Sequence, residues 1–515
     1  ALIGPSGEKM SLISGIVNDK ARIAARSGLG AVMGSKNLKG IAVAGKKKAN
    51  VKDPKKVKQI TERFMKWFNK DERLQRKIMT NKVLAWSARF MRRTPIFVRL
   101  PGDFVRIGLD KWGTIGSNVL SSETGDSPVK NWKGAGYKDF PISTHAGNLD
   151  PEKIIAYQKK KYRCFSCPLG CGGVLEVDDG PEPLGEIHKP EYEGVACLGT
   201  LLLNSDLHSI LKMNDMLNRA GMDCIGAGVT VAWAMECYEK GALTKDDLDG
   251  IELVWGNADS IMKLIDKMIK REGIGDILAD GCKMASERLN KGKEFAMHAG
   301  GQELPAHDRR FDPGFTIAYA NEPTPGRHTN HGYTWLELFV LPKIVKSLPP
   351  LPAYTSAKNK FYGDNIARIK QLVAASQYMQ FVNGVGACFF GAQMNGELDL
   401  PAYVNAVTGW KKTPEDYLRI GERIQNLRQA FNIKQGIKPM KDFTLPNRAW
   451  GKPPLAYGPM KGVTVNIKSL QSDFLGCIGW DKETAIPTKA KLMELGLEDV
   501  ALEIAGYDST GAGGK

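Results

Sequence analysis

Residues 206–241, DLHSILKMNDMLNRAGMDCIGAGVTVAWAMECYEKG, decide the fold class. Apolar residues recur at three-to-four spacing over 206–220 and again over 225–240, and Gly221 and Gly241 stand where each segment should stop. That is the pattern of two successive helices closed by left-handed caps. A third segment, 259–272, runs to Gly273, and the habit returns at 366–382, 401–410, 414–433 and 488–496. The prediction is an α+β chain that is predominantly α-helical. The Pro- and Gly-rich stretches 305–326 and 440–460 read as irregular, and long loops in a helical body are where sites are commonly built.

The remaining composition narrows the class. With 515 residues, 42% of them hydrophobic, 56 Gly and 27 Pro, the chain is neither disordered nor collagen-like, and its length predicts about three domains. It has no run of 18 apolar residues and no charged-then-apolar leader at Ala1, so a soluble or peripheral protein is expected. Nine cysteines in mostly apolar surroundings point to a reducing cytoplasm rather than to a disulfide scaffold. The net charge of +16 is confined to the first fifth, where 24 Lys or Arg face 6 Asp or Glu in residues 1–100. No zinc-finger, RRM or KH pattern hosts those charges, so nucleic acid is excluded and a local docking surface for an acidic partner is expected. Within it, 55–100 is basic and amphipathic, with Phe64, Trp67, Phe68, Leu84, Trp86, Phe90 and Met91 among the cations. A helix packed on the body is favoured there over contact with a membrane surface or partner. The opening, through Gly45, reads as a fragment in which a Gly-rich turn leads into a strand-like stretch.

Cys164, Cys167 and Cys171 form C-x2-C-x3-C in CFSCPLGC. Three thiolates on one tight loop suit an iron–sulfur cluster or zinc, and a fourth ligand must come from elsewhere. A zinc site normally pairs two short hooks, and the sequence offers no second one. Cys388 in NGVGACFF and Cys477 in DFLGCIGW are the candidates for the remote ligand. A weak internal echo bears on the choice, because Asn218-x-x-Gly221-Met222-Asp223 and Asn383-x-x-Gly386-Ala387-Cys388 both end a predicted helix. Freed amides at such an end can pocket a pterin-like ring or a phosphate.

Taken in order, RIAARSGLGAVMGSKNLKGIAV, CFSCPLGC, KPEYEG, NRAGMDCIGAG, LPAHDRR, NGVGACFF and the run from GWKKTPEDYLRIGERIQNLRQAFN to IGWDKETAIPTKAKLMELGLEDVA resemble the aldehyde:ferredoxin oxidoreductase family of tungsten enzymes. The resemblance implies the remnant of an N-terminal β domain followed by two helical domains, divided as 1–50, 51–297 and 298–515. It implies a tungsten bis-pterin (tungstopterin) cofactor, favoured over molybdenum, beside a 4Fe-4S cluster. Carried over residue by residue, Cys164, Cys167, Cys171 and Cys388 would hold the cluster, and Cys477 would pack. Arg22, Ala25 and Arg26 fall on the pterin-contacting loop. Asn218, Met222, Asp223, Asn383 and Ala387 fall on the two pterin-facing helix ends, with Asn218 and Asn383 replacing the family's Asp. Glu193 and His328 fall on the two catalytic positions.

Departures shape the remaining expectations. The family's Arg and Lys near His328 become Thr324 and Asn330, with Arg327 and His331 close by as substitutes. A Glu-x-x-His interface motif falls on Lys212 and Asp215, so no interface metal is expected. A domain's worth of N-terminal sequence is missing from the comparison, so the chain is expected to be part of a larger enzyme or to work with a separate N-terminal chain. The activity implied is interconversion of an aldehyde and its carboxylic acid, with electrons passing to ferredoxin or an iron–sulfur partner subunit, in an oligomer. Two alternatives are an aromatic acyl-CoA ring reductase, for which Cys197 is the only nearby thiolate, and a tungsten-free iron–sulfur scaffold subunit.

Overall fold

Asp206 accepts a hydrogen bond from the His208 amide and opens the helix Leu207–Ala220, which Gly221 closes in the left-handed conformation. Two residues on, Asp223 caps the helix Cys224–Glu239 by accepting from the amides of Ile225 and Gly226. This second helix is buried on nearly every face, from Ile225 to Cys237, so it is the central rod of the body rather than an amphipathic wall. The helices Ala258–Lys270, Ile366–Gly384, Leu400–Thr408, Pro414–Lys434 and Lys489–Glu494 lie where apolar spacing predicts them. The computed structural model describes residues 1–19, 21–70, 72–93, 102–350, 366–394 and 396–505. Residues 94–100 of the basic segment lie outside the described residues.

Strands are few and short. Ile16–Asn18 and Arg22–Ala24 form an antiparallel hairpin. Gln158–Tyr162, Gly172–Val177 and Leu184–His188 form an antiparallel sheet in that order, and His298–Ala299 pairs with Gln302–Glu303. The three-stranded sheet is not evident in the sequence, because its first strand, QKKKY, is polar and half-exposed. Its connection carries the cysteine trio, and the pairing of Tyr162 with Gly172 closes the loop 163–171 at its base.

The opening segment departs from expectation. Leu29–Ser35, within the stretch read as a Gly-rich turn, is a helix entered through Gly28 in the left-handed conformation, and the strand-like stretch after it forms only an isolated bridge from Gly40 to Leu2. Gly34 lies against the carbonyl of Gly7 so closely that a Cβ would sit 2.0 Å from that oxygen. The opening docks across the end of helix Leu207–Ala220, where Gly15 donates to the Gly221 carbonyl and Asp223 to that of Ile13.

The main core gathers residues from Ile13 to Ala320 together with Leu445 and Ala449, so it continues past position 297. A second core joins Ile317 to Ala485 around the helices Ile366–Gly384 and Pro414–Lys434. Phe64, Trp67 and Phe68 of the basic helix Pro54–Phe68 are buried with Leu109, Leu169 and Met394, and Cys167 and Cys171 pack on that cluster. Trp86 and Phe90 are exposed and stack on each other, with ring centroids 5.8 Å apart. Within 305–326, Gly314–Ala320 is helical and buried rather than irregular.

Candidate active site

The two echoing helix ends adopt the same geometry. The Gly221 amide donates to the Asn218 carbonyl (3.2 Å) and Met222 to Leu217 (3.0 Å), while Gly386 donates to Asn383 (3.1 Å) and Ala387 to Val382 (2.9 Å). Both glycines are left-handed, with φ of 68° and 71°. Asp223 and Cys388 then stand at the same place, each the N-cap of the next helix. Asp223 uses its carboxylate as the cap. The Cys388 side chain makes no such cap, and burial raises its thiol while the amides of Gly391 and Phe390 oppose the rise.

Cys388 comes from 217 positions beyond Cys171, yet its sulfur shares an electrostatic environment with Cys164, Cys167 and Cys171. Cys477 faces Lys370, Asp473 and Lys482 instead and packs on the second core. Four thiolates on one tetrahedral zinc would lie roughly 3.8 Å apart. No three of these cysteines come within 4.8 Å of one another among the described residues.

The cysteine loop is braced by residues the sequence reading passed over. Lys189 is buried and donates through Nζ to the carbonyls of Trp112 (2.6 Å) and Cys171 (2.9 Å). Burial lowers its ammonium to about 8, against the pull of Glu191. Burial pushes the Cys171 thiol up to about 12, Glu191 adding to the rise and Arg22 opposing it. Arg22 bonds Glu191 Oε1 through Nη1 (2.6 Å) and lies over the Tyr162 ring. Lys189 and Glu191 both belong to KPEYEG, so the motif was visible but not the task of its flanks.

Glu193 follows in the first turn of helix Tyr192–Leu198. Its Oε2 accepts from the Ala306 amide (2.8 Å), which aims Oε1 at two imidazoles: His328 Nε2 at 3.4 Å and His307 Nε2 at 3.7 Å. The sequence therefore supplied the pair Glu193 and His328, and the structure brings them together. It missed His307, a lone histidine in LPAHDRR whose Nδ1 lies 3.0 Å from both carboxylate oxygens of Asp126. No local pattern joins residues 181 positions apart.

The charge states in this set are pulled apart. Burial raises the Glu193 carboxyl, while the His307 charge and the Ala306 amide oppose the rise. Burial alone would lower His307, but the charge and hydrogen bond of Asp126 outweigh it and lift the imidazole to about 9. His328 is pushed well down by burial, reinforced by the charges of His307, Arg26 and Arg327. The set is one cationic imidazole, one neutral imidazole and a carboxylate between them, an arrangement that handles protons. The three ligand atoms lie within 4.8 Å of one another.

The other predicted cofactor residues lie in varied surroundings. Arg26 donates through Nη2 to the Glu303 carbonyl, and its Nε and Nη1 are buried without partners. Arg22 likewise keeps Nε and Nη2 buried and unpartnered. Buried guanidinium donors in this state suit an anion. Ala25 is half-buried beside Gly15, and Met222 bridges to Ser14. Ala387 packs on the second core, Asn218 is half-buried and Asn383 exposed. Cys197 is fully buried against Gly228 of the central helix and serves packing.

Residues 1–45 match the family model described as aldehyde ferredoxin oxidoreductase, N-terminal domain, and residues 100–497 match that described as aldehyde ferredoxin oxidoreductase, domains 2 & 3. The basic segment 46–99 lies outside both matches. The chain is 34% identical over 501 residues to the tungsten-containing aldehyde ferredoxin oxidoreductase of Pyrococcus furiosus, covering 97% of this chain and 73% of that protein. It is 33% identical over 501 residues, with the same coverage, to the protein of that description from Thermococcus kodakarensis. It is 28% identical over 519 residues to the aliphatic sulfonate oxidoreductase, WOR-like subunit, of Pyrococcus furiosus, covering 98% of this chain and 70% of that one. The solved active site complex BamBC of benzoyl coenzyme A reductase with 1,5 dienoyl-CoA superposes with a TM-score of 0.74 over 99% of this chain and 75% of that one. At 21% identity, that likeness shows a shared fold.

Proposed function

This chain belongs to the aldehyde ferredoxin oxidoreductase family, and from that premise we propose that it interconverts an aldehyde and its carboxylic acid and passes the electrons to ferredoxin or an iron–sulfur partner subunit. It is a tungsten oxidoreductase whose cofactors are tungstopterin and a 4Fe-4S cluster. The observation that carries the proposed activity is the buried set Glu193, His328 and His307, with Glu193 Oε1 facing both imidazoles.

When bound, the tungsten pterin supplies a two-electron couple and the iron–sulfur cube a one-electron relay. The chain's own residues manage binding and protons. Aldehyde and water yield the carboxylate, two electrons and three protons. Glu193 Oε1 takes a proton at the reacting centre, since its partner oxygen is fixed to Ala306. His328, held neutral, hydrogen-bonds the aldehyde oxygen and hands protons to or from Glu193. His307, locked by Asp126, keeps a positive charge facing Glu193, so that the buried carboxylate can ionise. Arg22 and Arg26 offer their unpartnered donors to the cofactor phosphates. Cys164, Cys167, Cys171 and Cys388 hold the cube, and Lys189 fixes the Cys171 carbonyl. The basic helix Pro54–Phe68, packed against the cluster loop through Trp67 and Phe68, offers positive charge to an acidic acceptor close to the point of electron exit.

The test is anaerobic assay of the tungsten-loaded enzyme with a panel of aldehydes and a viologen acceptor. Aldehyde-dependent dye reduction, lost in Glu193→Gln, is the expected result. Turnover confined to benzoyl-CoA, or the absence of tungsten from purified protein, would replace this reading.

A further inference from the structure

The basic segment divides into two halves with different surroundings. Its first helix, Pro54–Phe68, buries Ile60, Phe64, Trp67 and Phe68, as a helix packed on the body should. The second half lies, like the first, outside both family matches, and residues 73–93 carry seven Lys or Arg with no Asp or Glu. Its inner side is pinned. Buried Glu72 pairs with Arg106, and Arg106 Nη1 donates to the Phe68 carbonyl (2.6 Å). Arg76 pairs with Asp110, Lys111 Nζ donates to the Met79 carbonyl (2.9 Å), and Met79 and Ala85 are buried.

The outer side is open to solvent. On the helix Asn81–Arg93, Val83, Trp86 and Phe90 follow at three-to-four spacing and so share one face. All three are exposed, Trp86 by 66%, and the rings of Trp86 and Phe90 are stacked on each other. Lys82 and Arg89, one position before Val83 and Phe90, are exposed in the row beside them. The preceding helix, Arg73–Ile78, adds exposed Leu74 and Ile78 one turn apart, with exposed Lys77 between them. Large apolar side chains gathered in water, rimmed by charge of one sign, mark a surface that something else covers.

The charge pattern selects the occupant. A second copy of the chain would set cations against cations. A specific protein interface fixes its register with charges of both signs, and residues 73–93 offer only one. A fluid anionic surface needs no register. It requires only cations beside protruding apolar groups, and Trp and Phe sit favourably at the headgroup boundary. We propose that the face carrying Val83, Trp86 and Phe90, flanked by Lys82 and Arg89, seats the protein on an anionic lipid surface, the two stacked rings entering the headgroup layer. No helix of the described residues is long and apolar enough to cross a membrane, so the contact made by this face is peripheral and reversible. The proposal stands apart from the aldehyde–acid reading.

The experiment sediments the holoenzyme with vesicles of phosphatidylcholine alone and of phosphatidylcholine mixed with phosphatidylglycerol. Two double variants run beside it, Trp86→Ser with Phe90→Ser and Lys82→Glu with Arg89→Glu, each checked for iron content and circular dichroism. Expected is binding of the parent to the anionic vesicles and not to the neutral ones, weakened by added salt and roughly tenfold or more in each double variant. Failure of the parent to bind anionic vesicles overturns the proposal. Unchanged binding in either double variant does so too, because the rings or the flanking cations then take no part. If neither vesicle is bound while ferredoxin-dependent turnover falls in both variants, the face belongs to an acidic protein and the lipid assignment is wrong.

Discussion

His307 Nε2 lies 3.7 Å from Glu193 Oε1, with the Asp126 carboxylate 3.0 Å behind the other ring nitrogen. A carboxylate, a cationic imidazole and a second carboxylate thus stand in line inside the protein, and the middle charge sets the behaviour of both ends.

The line has a pH signature in stability. His307 is raised to about 9 in the folded chain from an ordinary 6.5, so its contribution is complete below pH 6.5 and is lost as pH rises through 9. The integrated effect is on the order of 3 kcal/mol. Glu303, raised by burial from 4.5 to about 7, has the same sign in its own window. Denaturant midpoints should therefore fall from pH 6.5 to 9.5, and the fall should be shallower in His307→Gln. Equal slopes in the two proteins would remove Asp126–His307 as the cause.

Glu193→Gln preserves the acceptor for the Ala306 amide and removes the titrating oxygen. Turnover with any accepted aldehyde should drop roughly 10²- to 10⁴-fold, with tungsten and iron contents unchanged. A loss of metal in parallel would make Glu193 a structural residue.

The irregular stretch 440–460 is held to the central helix by Arg448, whose Nη1 and Nη2 lie 2.6 and 2.9 Å from the two carboxylate oxygens of Glu236. Glu236 is 1% exposed, so Glu236→Ala leaves Arg448 uncompensated and should cost roughly 3–5 kcal/mol by denaturant unfolding. Adding Arg448→Met should recover part of the loss.

If the basic helix Pro54–Phe68 steers an acidic acceptor, turnover with ferredoxin should fall as salt rises from 20 to 300 mM, a range in which the screening length shrinks from roughly 20 Å to about 6 Å. Turnover with a neutral dye should not follow. Parallel salt curves would place docking elsewhere.

The helices were legible because their signals are local. The caps at Asp206, Gly221 and Asp223 and the apolar spacing between them lie within one stretch of chain. The three-stranded sheet was not, since QKKKY resembles a solvated surface until Gly172–Val177 covers one edge. The site was half legible. The cysteine trio is contiguous, whereas choosing Cys388 over Cys477 rested on resemblance. In the folded chain Cys388 stands at the helix-end position that Asp223 occupies in the first motif. His307 stayed hidden because its meaning depends on Asp126, a contact that only the folded chain creates. The helix Leu29–Ser35 stayed hidden within the Gly-rich turn for a related reason, since the close packing of Gly34 on Gly7 is a contact that local patterning does not reveal.

The central claim is that four sulfurs, one of them remote, hold an inorganic cube beside the Glu193 centre. Iron and tungsten should be counted in anaerobically purified parent protein, Cys388→Ser and Cys477→Ser. The account predicts about four irons per chain in the parent and in Cys477→Ser, with tungsten in both, and loss of iron in Cys388→Ser. Full iron in Cys388→Ser, or its loss in Cys477→Ser instead, would contradict it.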